Sequence, residues 1–285
     1  MKVKIMELKD DSMRLLIEDS TPSFVNTLRK VLLNDVPKMA IEDVEFHLGP
    51  IRHEGNDYES ISPLFDEIIA HRLGMLPVPT DLGMFTFVDK CKCGGVGCPS
   101  CTIKYMINKT GPCTIYSKDL EVVKGWLPGD EKLTEEKFKI KDGNIPIVKL
   151  TDRQALMIYA TAQLGTGKEH AKWQAVSGVG YKYYPEIKIN TEKCDGCGKC
   201  VKSCPKNVLA LKGKKLEIKD IEECSLCKSC EAVCSSGAIK IKGDDSKFIF
   251  RFETDGSMTA RSAIETALKI MGEKCSEVEE KLGKV

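Results

Sequence analysis

Cysteine is the residue type that dominates the possible chemistry of this sequence. The 285-residue chain contains 14 cysteines, of which eight lie between Cys194 and Cys234 and four between Cys91 and Cys101. The N-terminus lacks the continuous apolar segment of a signal peptide, and no run of 18 apolar residues could span a membrane. We therefore expect a cytoplasmic protein with reduced thiols, in which clustered cysteines indicate metal binding rather than disulfides.

The eight cysteines between residues 194 and 234 form two runs with one spacing. Each run reads Cys-x2-Cys-x2-Cys-x3-Cys, and each cysteine of the second run follows its counterpart by 30 residues. The same offset relates apolar residues beyond the cysteines, such as Val208 to Ala238 and Leu209 to Ile239. The pattern indicates an internal duplication.

This spacing is typical of proteins that bind two 4Fe–4S clusters. Three thiolates two residues apart can surround one face of a cluster, and the fourth cysteine of each run ligates the cluster of the other run. One cluster is thereby assigned to Cys194, Cys197, Cys200 and Cys234, and the other to Cys224, Cys227, Cys230 and Cys204. Residues 188–243 resemble the two-cluster bacterial ferredoxin module, although Ser235 replaces the proline expected after the second run. The alternatives are a pair of zinc sites or a module that has lost its clusters.

A further group of cysteines lies in the glycine-rich segment CKCGGVGCPSC. Its four thiolates, on Cys91, Cys93, Cys98 and Cys101, could close a tetrahedral zinc site. The intervening glycines permit the tight backbone that would turn the ligands inward. The alternative is a flexible loop of reduced thiols. The two isolated cysteines, at positions 113 and 275, are expected to be small buried hydrophobic residues.

Motifs for catalysis are not found in the sequence. Residues 165–168 read GTGK and are similar to the end of a P-loop, but Ala162 replaces the first glycine and Glu169 follows the lysine. The four histidines lack the paired spacing of a metal site. The 43 basic residues nearly balance the 42 acidic residues, so we expect no direct nucleic-acid site.

Hydrophobic patterns predict the elements that position the cysteines. A hairpin is expected over residues 3–19, followed by one helix that begins near Pro22 and another that opens at Ser62 and ends at Gly74. The mixed charges from Asp130 to Lys141 indicate a solvated face. Strands are expected at residues 41–49, 84–89, 102–108 and 247–254, and a further helix at residues 155–164.

The last predicted helix extends from Thr259 to Leu282. Its apolar residues recur at heptad spacing and form an a/d seam over three heptads. The seam consists of Ile264, Leu268, Met271, Cys275, Val278 and Leu282. Such a seam suits either a helix packed on its own sheet or one shared between that sheet and a partner chain.

Four separated segments resemble a single protein family. They read FVNTLRKVLL at residues 24–33, SPLFDEIIAHRLG at 62–74, GKEHAKW at 167–173 and ETDGS at 253–257. Together they resemble the D subunits of archaeal RNA polymerases, which are counterparts of the N-terminal domain of the bacterial alpha subunit. The resemblance spans essentially the whole chain and includes the ferredoxin-like insert.

The resemblance implies an α+β fold with three domains. Residues 1–40 and 244–285 would form a discontinuous dimerisation domain, and residues 188–243 a ferredoxin-like domain with two 4Fe–4S clusters. Residues 41–187 would form an inserted mixed α/β domain, with the possible zinc loop at 91–101, that contacts the large polymerase subunits. The dimerisation domain would bind a small alpha-like subunit, L. Interface residues expected on two helices are Phe24, Leu28, Val31, Leu32, Ile264, Leu268, Met271 and Val278.

The function implied by the resemblance is that of a non-catalytic assembly subunit of DNA-dependent RNA polymerase, a nucleotidyltransferase. The clusters would stabilise their domain, because about 56 residues with few aromatic side chains form a thin core and metal ligation supplies folding free energy. Assembly could then be sensitive to redox conditions. The alternative is a ferredoxin-type electron carrier of an oxidoreductase complex. The rest of the chain, which has no flavin, haem or nicotinamide motif, favours the polymerase.

Overall fold

The computed structural model describes residues 1–53, 55–126 and 136–283. The first half of the charged run from Asp130 to Lys141 lies outside the described residues. The strands are β1 Lys2–Leu8, β2 Ser12–Glu18, β3 Lys38–Phe46, β4 Pro50–His53, β5 Asn56–Glu59, β6 Thr102–Thr110, β7 Cys113–Tyr116, β8 Glu121–Val122, β9 Pro146–Leu150, β10 Ala155–Gly165, β11 Val176–Ile189, β12 Leu209–Lys212, β13 Lys215–Ile218 and β14 Ile239–Thr254. The helices are α1 Pro22–Asn34, α2 Asp66–Gly74, α3 Lys199–Lys202, α4 Ser229–Ala232 and α5 Ala260–Leu282.

The chain forms two compact units, each gathered from separate parts of the sequence. The first unit contains residues 1–8, 13–29 and 178–252. The second contains residues 9–12 and 30–177 and the chain from Glu253 onward. Both units are mixed α/β structures, and none of the described helices has the length and apolar character needed to cross a membrane.

A four-stranded sheet in the order β1-β2-β14-β11 is the framework of the first unit. Strands β1 and β2 pair as the antiparallel hairpin that the sequence predicts. In β14 the alternating residues Phe248, Phe250 and Phe252 are buried, and the Phe248 ring contacts Tyr181 and Tyr183 at 5.9 and 5.3 Å between ring centroids. These aromatic contacts join the middle of β14 to β11.

The cysteine-rich part of the first unit contains α3, α4 and the antiparallel hairpin of β12 and β13. Its apolar core is small, as expected for a segment of this length. The buried members of this core are Cys200, Val208, Leu209, Leu216, Cys224, Cys230, Ile239 and Ile241. Three of these eight buried residues are cysteines, so the chemistry of their thiols bears directly on the stability of this core.

The second unit is built on an antiparallel sheet in the order β3-β10-β6-β8. Its central strand β10 pairs with both β3 and β6. The buried Tyr105 hydroxyl donates a hydrogen bond of 2.8 Å to the Phe138 carbonyl. Helix α2 buries Ile69 and Leu73 in the same core.

Three of the predicted elements in the second unit are wrong or displaced. Residues 155–164 form strand β10 instead of a helix, because every second residue from Leu156 to Leu164 is buried, which is the period of a strand. Residues 84–89 contain no strand and end in a short 3-10 helix. Helix α2 begins at Asp66 rather than at Ser62, so Phe65 precedes the helix and is 78% exposed.

Helix α5 has the predicted extent. The Thr259 side chain caps it by accepting a hydrogen bond of 3.2 Å from the Ser262 backbone N–H. Its first turns bury Ala263 and Ile264, whereas Cys275, expected to be buried, is exposed. The C-terminal part of the heptad seam is therefore not covered by the described part of this chain.

Candidate metal sites

The four cysteines of the glycine-rich segment converge in the second unit. The Sγ atoms of Cys91 and Cys98 are 3.6 Å apart, and those of Cys93 and Cys101 are 3.7 Å apart. All four sulfur atoms lie within 4.8 Å of one another. The structure thus brings the four predicted ligands together as one group that could hold a metal ion.

Glycine makes this convergence possible. Gly94, Gly95 and Gly97 have φ angles of +71°, +88° and +86°, in the left-handed region that glycine adopts without steric cost. The returning chain is also tied by the Cys98 backbone N–H, which donates a hydrogen bond of 3.2 Å to the Cys101 Sγ. The loop is therefore a compact turn that ends at β6.

The thiols of this loop lie in unequal environments. The Cys93 backbone N–H donates to the Cys91 sulfur and, with further thiol contacts, lowers the Cys91 pKa to about 6. Burial raises the pKa of Cys101 to about 12. A bound cation would favour the thiolate form of all four groups, because thiolates are the metal ligands.

The close spacing of this group distinguishes it from the two cysteine runs. Within the described ranges, no other group of three or more histidine, cysteine or acidic side chains brings its ligand atoms this close. A four-iron cluster is larger than one ion, so its ligands must stand farther apart. The spacing at residues 91–101 suits a single ion such as Zn²⁺.

The first predicted iron–sulfur ligand set lines one cavity in the first unit. The cavity has a volume of about 310 Å³ that includes space open to solvent, and Leu211, Leu216 and Ile239 form its apolar wall. Its cysteines are Cys194, Cys197, Cys200 and Cys234. The fourth cysteine of the second run thus lies with three cysteines of the first run, which is the crossed arrangement that the spacing predicts.

The electrostatics of Cys200 reflect the same grouping. Burial raises the pKa of the Cys200 thiol, and the neighbouring Cys234 and Cys194 raise it further. Cys197 is exposed at the edge of the loop. The set therefore combines a buried thiol with a solvent-facing one around an apolar-walled cavity, and this donor set fits an iron–sulfur cluster.

Part of the second predicted ligand set is gathered at the small core of the cysteine-rich part, where Cys224 and Cys230 are buried and Cys204 packs against them. Burial raises the pKa of Cys230, and the nearby Cys204 and Cys224 raise it further. Cys227 is exposed, as is its counterpart Cys197. Cys204, from the first run, packs against the core that holds two cysteines of the second run, and this donor set also fits a cluster.

The two runs share their backbone conformation as well as their spacing. Three pairs of residues 30 positions apart have positive φ angles, and helices α3 and α4 begin at equivalent positions. The pairs are Gly196 with Leu226, Gly198 with Lys228, and Asn207 with Gly237. Three of these six positions, Asn207, Leu226 and Lys228, carry non-glycine residues despite the steric cost of the left-handed region. The duplication seen in the sequence is therefore also present in the backbone.

The GTGK loop at residues 165–168 is held by contacts within the protein. Two of its backbone N–H groups bond within the protein, since Thr166 donates to the Glu169 carboxylate at 2.8 Å and Lys168 to the Asn34 carbonyl at 3.0 Å. A Cβ at Gly167 would lie 2.1 Å from the Leu33 carbonyl oxygen. These contacts favour a structural role for the loop, which is also the prediction from the missing P-loop residues.

The eight predicted interface residues have different surroundings. On α1, Leu28, Val31 and Leu32 are buried within the chain and Phe24 is half-buried. On α5, Ile264 is buried and Met271 is half-buried. Leu268 and Val278 are 47% and 56% exposed. The seam is thus covered at its start and open towards its end.

Two basic residues with clear structural contacts are not singled out by the sequence patterns. The buried Lys38 ammonium pairs with the Asp255 carboxylate. Lys182 on β11 donates hydrogen bonds to the carbonyls of Glu222 and Cys224. Neither lysine belongs to a motif, because both act through contacts with residues distant in the sequence. Their partners are the residues that the sequence patterns identify, since Asp255 lies in the ETDGS segment and Cys224 is a predicted cluster ligand.

Known proteins are similar in sequence to nearly the full length of this chain. The family model of the RNA polymerase Rpb3/Rpb11 dimerisation domain matches residues 14–275. A DNA-directed RNA polymerase subunit Rpo3 from Thermoplasma volcanium is 45% identical over 269 residues, which are 94% of each chain. The Rpo3 of Picrophilus torridus is 43% identical over 98% of each chain. The Rpo3 of Methanosarcina acetivorans is 36% identical over 98% of this chain and 97% of its own.

The similarity is not limited to one shared domain, because the matches extend over nearly the full length of this chain and of its relatives. They agree with the resemblance carried by the four sequence segments and with the absence of catalytic motifs. The chain therefore belongs to the Rpb3/Rpb11 dimerisation-domain family, among the Rpo3-type non-catalytic subunits of archaeal DNA-directed RNA polymerase.

Proposed function

We propose that this chain forms a heterodimer with a small alpha-like subunit, L, and that the heterodimer nucleates assembly of the large polymerase subunits. The open end of the α5 seam is the observation that carries this proposal. Leu268, Val278 and Leu282 are 47%, 56% and 70% exposed at heptad spacing. A partner helix would bury this apolar stripe, and membership of a dimerisation-domain family supports such a partner.

The contact with the large subunits is proposed to involve the second unit. A group of exposed apolar side chains, here called the α2 patch, lies on α2 and the loops beside it. Its members are Leu48, Ile61, Phe65, Ile68 and Met75. The Ser60 backbone N–H donates to the Gly49 carbonyl, and this hydrogen bond joins the loop that contains Leu48 to the loop that contains Ile61. Exposed apolar groups of this kind are typical of protein interfaces.

Metal ligation is proposed to hold the cysteine-rich part together. The crossed ligand sets would each bind a 4Fe–4S cluster, and the loop at residues 91–101 would bind zinc. Clusters of this kind supply ligation free energy and, where their potential permits, reversible electron transfer. The small core that surrounds Cys200, Cys224 and Cys230 supports a structural use of that free energy.

We propose the same domain boundaries that the resemblance implies, with the dimerisation domain at residues 1–40 and 244–285. The inserted domain is at 41–187 and the ferredoxin-like domain at 188–243. A ferredoxin-type electron carrier is not favoured, because the dimerisation-domain match covers residues 14–275 and not the cysteine runs alone.

Co-expression of the full chain with the small subunit under anaerobic conditions tests this proposal. Size-exclusion chromatography should give a one-to-one complex, with about eight iron atoms and about one zinc per complex. A chain that elutes alone would contradict the heterodimer. A stoichiometric complex that contains zinc but no iron would contradict the clusters and leave the heterodimer in place.

A further inference from the structure

We propose that the two cysteine sites have different mechanical roles. The second site, Cys204, Cys224, Cys227 and Cys230, is the one anchored to the four-stranded sheet of the first unit, and Lys182 is its principal anchor. The first site instead stabilises the β12–β13 hairpin. This inference rests on the proposed binding of iron–sulfur clusters and adds which of the two clusters acts on the sheet.

Lys182 joins strand β11 to the loop that begins the second run. Its half-buried ammonium donates hydrogen bonds of 2.5 Å to the Glu222 carbonyl and 3.0 Å to the Cys224 carbonyl. Charge-assisted hydrogen bonds are stronger than neutral ones. One side chain of the sheet therefore holds the backbone of a predicted ligand directly.

A second contact reaches the same loop from strand β2. The Arg14 Nη2 atom lies 3.1 Å from the Glu223 Oε1 atom, and both side chains are partly shielded from solvent. Glu223 lies between the two residues whose carbonyls Lys182 contacts. Two strands of the sheet thus converge on three consecutive residues immediately before and at the first cysteine of the second run.

The third contact is steric. A Cβ at Gly243 on β14 would lie 2.7 Å from the Tyr183 Cβ and 3.4 Å from the Leu226 side chain. The β14 backbone therefore passes closely between β11 and the second cysteine loop. Leu226 itself has a φ of +57°, so the loop is held in a conformation that costs free energy.

The closest backbone approaches of the first cysteine loop are to a separate small hairpin, and its cavity meets the four-stranded sheet at Ile239, the first residue of β14. A Cβ at Gly196 would lie 2.8 Å from the Lys214 carbonyl oxygen, and one at Gly198 would lie 2.8 Å from the Leu211 side chain. Both contacted residues belong to the hairpin of β12 and β13, which forms its own two-stranded sheet. Equivalent halves of the duplication therefore pack on different neighbours.

Because the two cysteine loops contact different elements, metal ligation at each site would stabilise a different part of the first unit. Ligation at the second site would fix the Cys224 loop, and the contacts of Lys182 and Arg14 would pass that restraint to β11 and β2. Ligation at the first site would restrain the β12–β13 hairpin. Loss of one cluster should accordingly loosen a predictable part of the first unit.

Matched cysteine variants test the inference. Cys197→Ser and Cys227→Ser change equivalent, exposed ligands of the first and second site. Each full-length variant is purified anaerobically, assayed for iron and examined by hydrogen–deuterium exchange. Each should lose about half of the iron. Cys227→Ser should raise exchange at residues 180–184 of β11, around Lys182, roughly threefold or more, whereas Cys197→Ser should raise it in β12–β13 and leave residues 180–184 unchanged.

A variant that retains all ligands tests the anchor itself. Lys182→Met should raise exchange at residues 221–227 and speed chelator removal of iron from the second site by several-fold. Lys188→Met, an exposed position on the same strand, is the control and should change neither. Equal effects of Cys197→Ser and Cys227→Ser on β11, or no effect of Lys182→Met, would overturn the inference while leaving cluster binding intact. A wild-type chain without iron would overturn both.

Discussion

The buried ammonium of Lys38 pairs with the carboxylate of Asp255, which lies 217 residues later in the sequence. The Ser257 backbone N–H and hydroxyl also donate to this carboxylate, at 3.0 and 2.6 Å. Thr80 lies beside the pair, since its backbone N–H donates to the Ser257 carbonyl and its hydroxyl accepts from the Met39 N–H. The pair thus fixes the start of the C-terminal segment against β3 in the second unit.

Replacing Asp255 should destabilise the second unit more than replacing a surface partner. Lys38 is only 3% exposed, so Asp255→Ala would leave a buried charge and several donors unpaired, at a cost of about 2 kcal/mol or more. Urea denaturation of the purified chain measures the change. Asp35→Ala, which removes the partner of the exposed Lys274, is the control and should cost below about 1 kcal/mol. Equal losses of unfolding free energy in Asp255→Ala and Asp35→Ala would mean that the buried pair stabilises the fold no more than a surface pair.

Gly165 should be intolerant of any side chain. A Cβ there would lie 2.3 Å from the ring of Trp173, a buried residue whose Nε1 donates to the Gln163 carbonyl. Gly165→Ala should lower the free energy of unfolding by about 1–3 kcal/mol, because the indole must move. Tryptophan fluorescence should shift to the red as Trp173 is displaced. Gly180→Ala has open space at its Cβ and should produce neither change.

The exposed end of α5 should be required for the heterodimer but not for the fold of the single chain. Leu268→Glu places a charge on the open seam and should weaken association with the small subunit by at least tenfold, since that charge would be buried at the interface. Isothermal titration calorimetry measures the affinity. Ser276→Glu adds the same charge at an exposed position outside the seam and should have little effect. Unchanged affinity for Leu268→Glu would exclude this face from the interface.

The cysteine group at residues 91–101 should bind one zinc ion. Cys93→Ser removes one of four thiolates and should abolish stoichiometric zinc and expose the loop before β6 to proteolysis. Elemental analysis and limited proteolysis measure the two effects. Cys113→Ser changes a thiol outside the group and should retain the metal. A wild-type chain without zinc would show that the close thiols are not a zinc site.

Loss of both clusters should impair assembly while the heterodimer survives. The double variant Cys194→Ser, Cys224→Ser removes one ligand from each crossed set. Because the α5 seam carries no predicted cluster ligand, binding of the small subunit should persist, whereas incorporation into polymerase should fall several-fold. Quantitative mass spectrometry of affinity-purified complexes measures both. Normal incorporation of an iron-free variant would rule out a structural role of the clusters in assembly.

Much of this fold follows from local sequence signals. The hairpin of β1 and β2, helix α1 and helix α5 agree with their turn, proline and capping residues, because such signals act over a few residues. The convergence of the four cysteines at residues 91–101 follows from their spacing and the intervening glycines. The grouping of Cys234 with the first run follows from the repeat.

The incorrect predictions concern residues whose secondary structure or burial depends on tertiary contacts. Residues 155–164 have a plausible cap and a terminal glycine, but their place between β3 and β6 selects the strand. The exposure of Cys275 depends on which elements pack against α5, and a local sequence pattern does not contain that information. Contacts such as Lys38 with Asp255 join residues far apart in the chain, so the sequence shows the residues without showing that they meet.

Anaerobic affinity purification of the tagged chain from its native cells tests the central claim most directly. The chain should recover the large polymerase subunits and a small alpha-like subunit near one-to-one stoichiometry, with about eight iron atoms per copy. Recovery of dehydrogenase or reductase chains, without polymerase subunits, would contradict an assembly role. It would make the cysteine-rich module the functional centre of the protein.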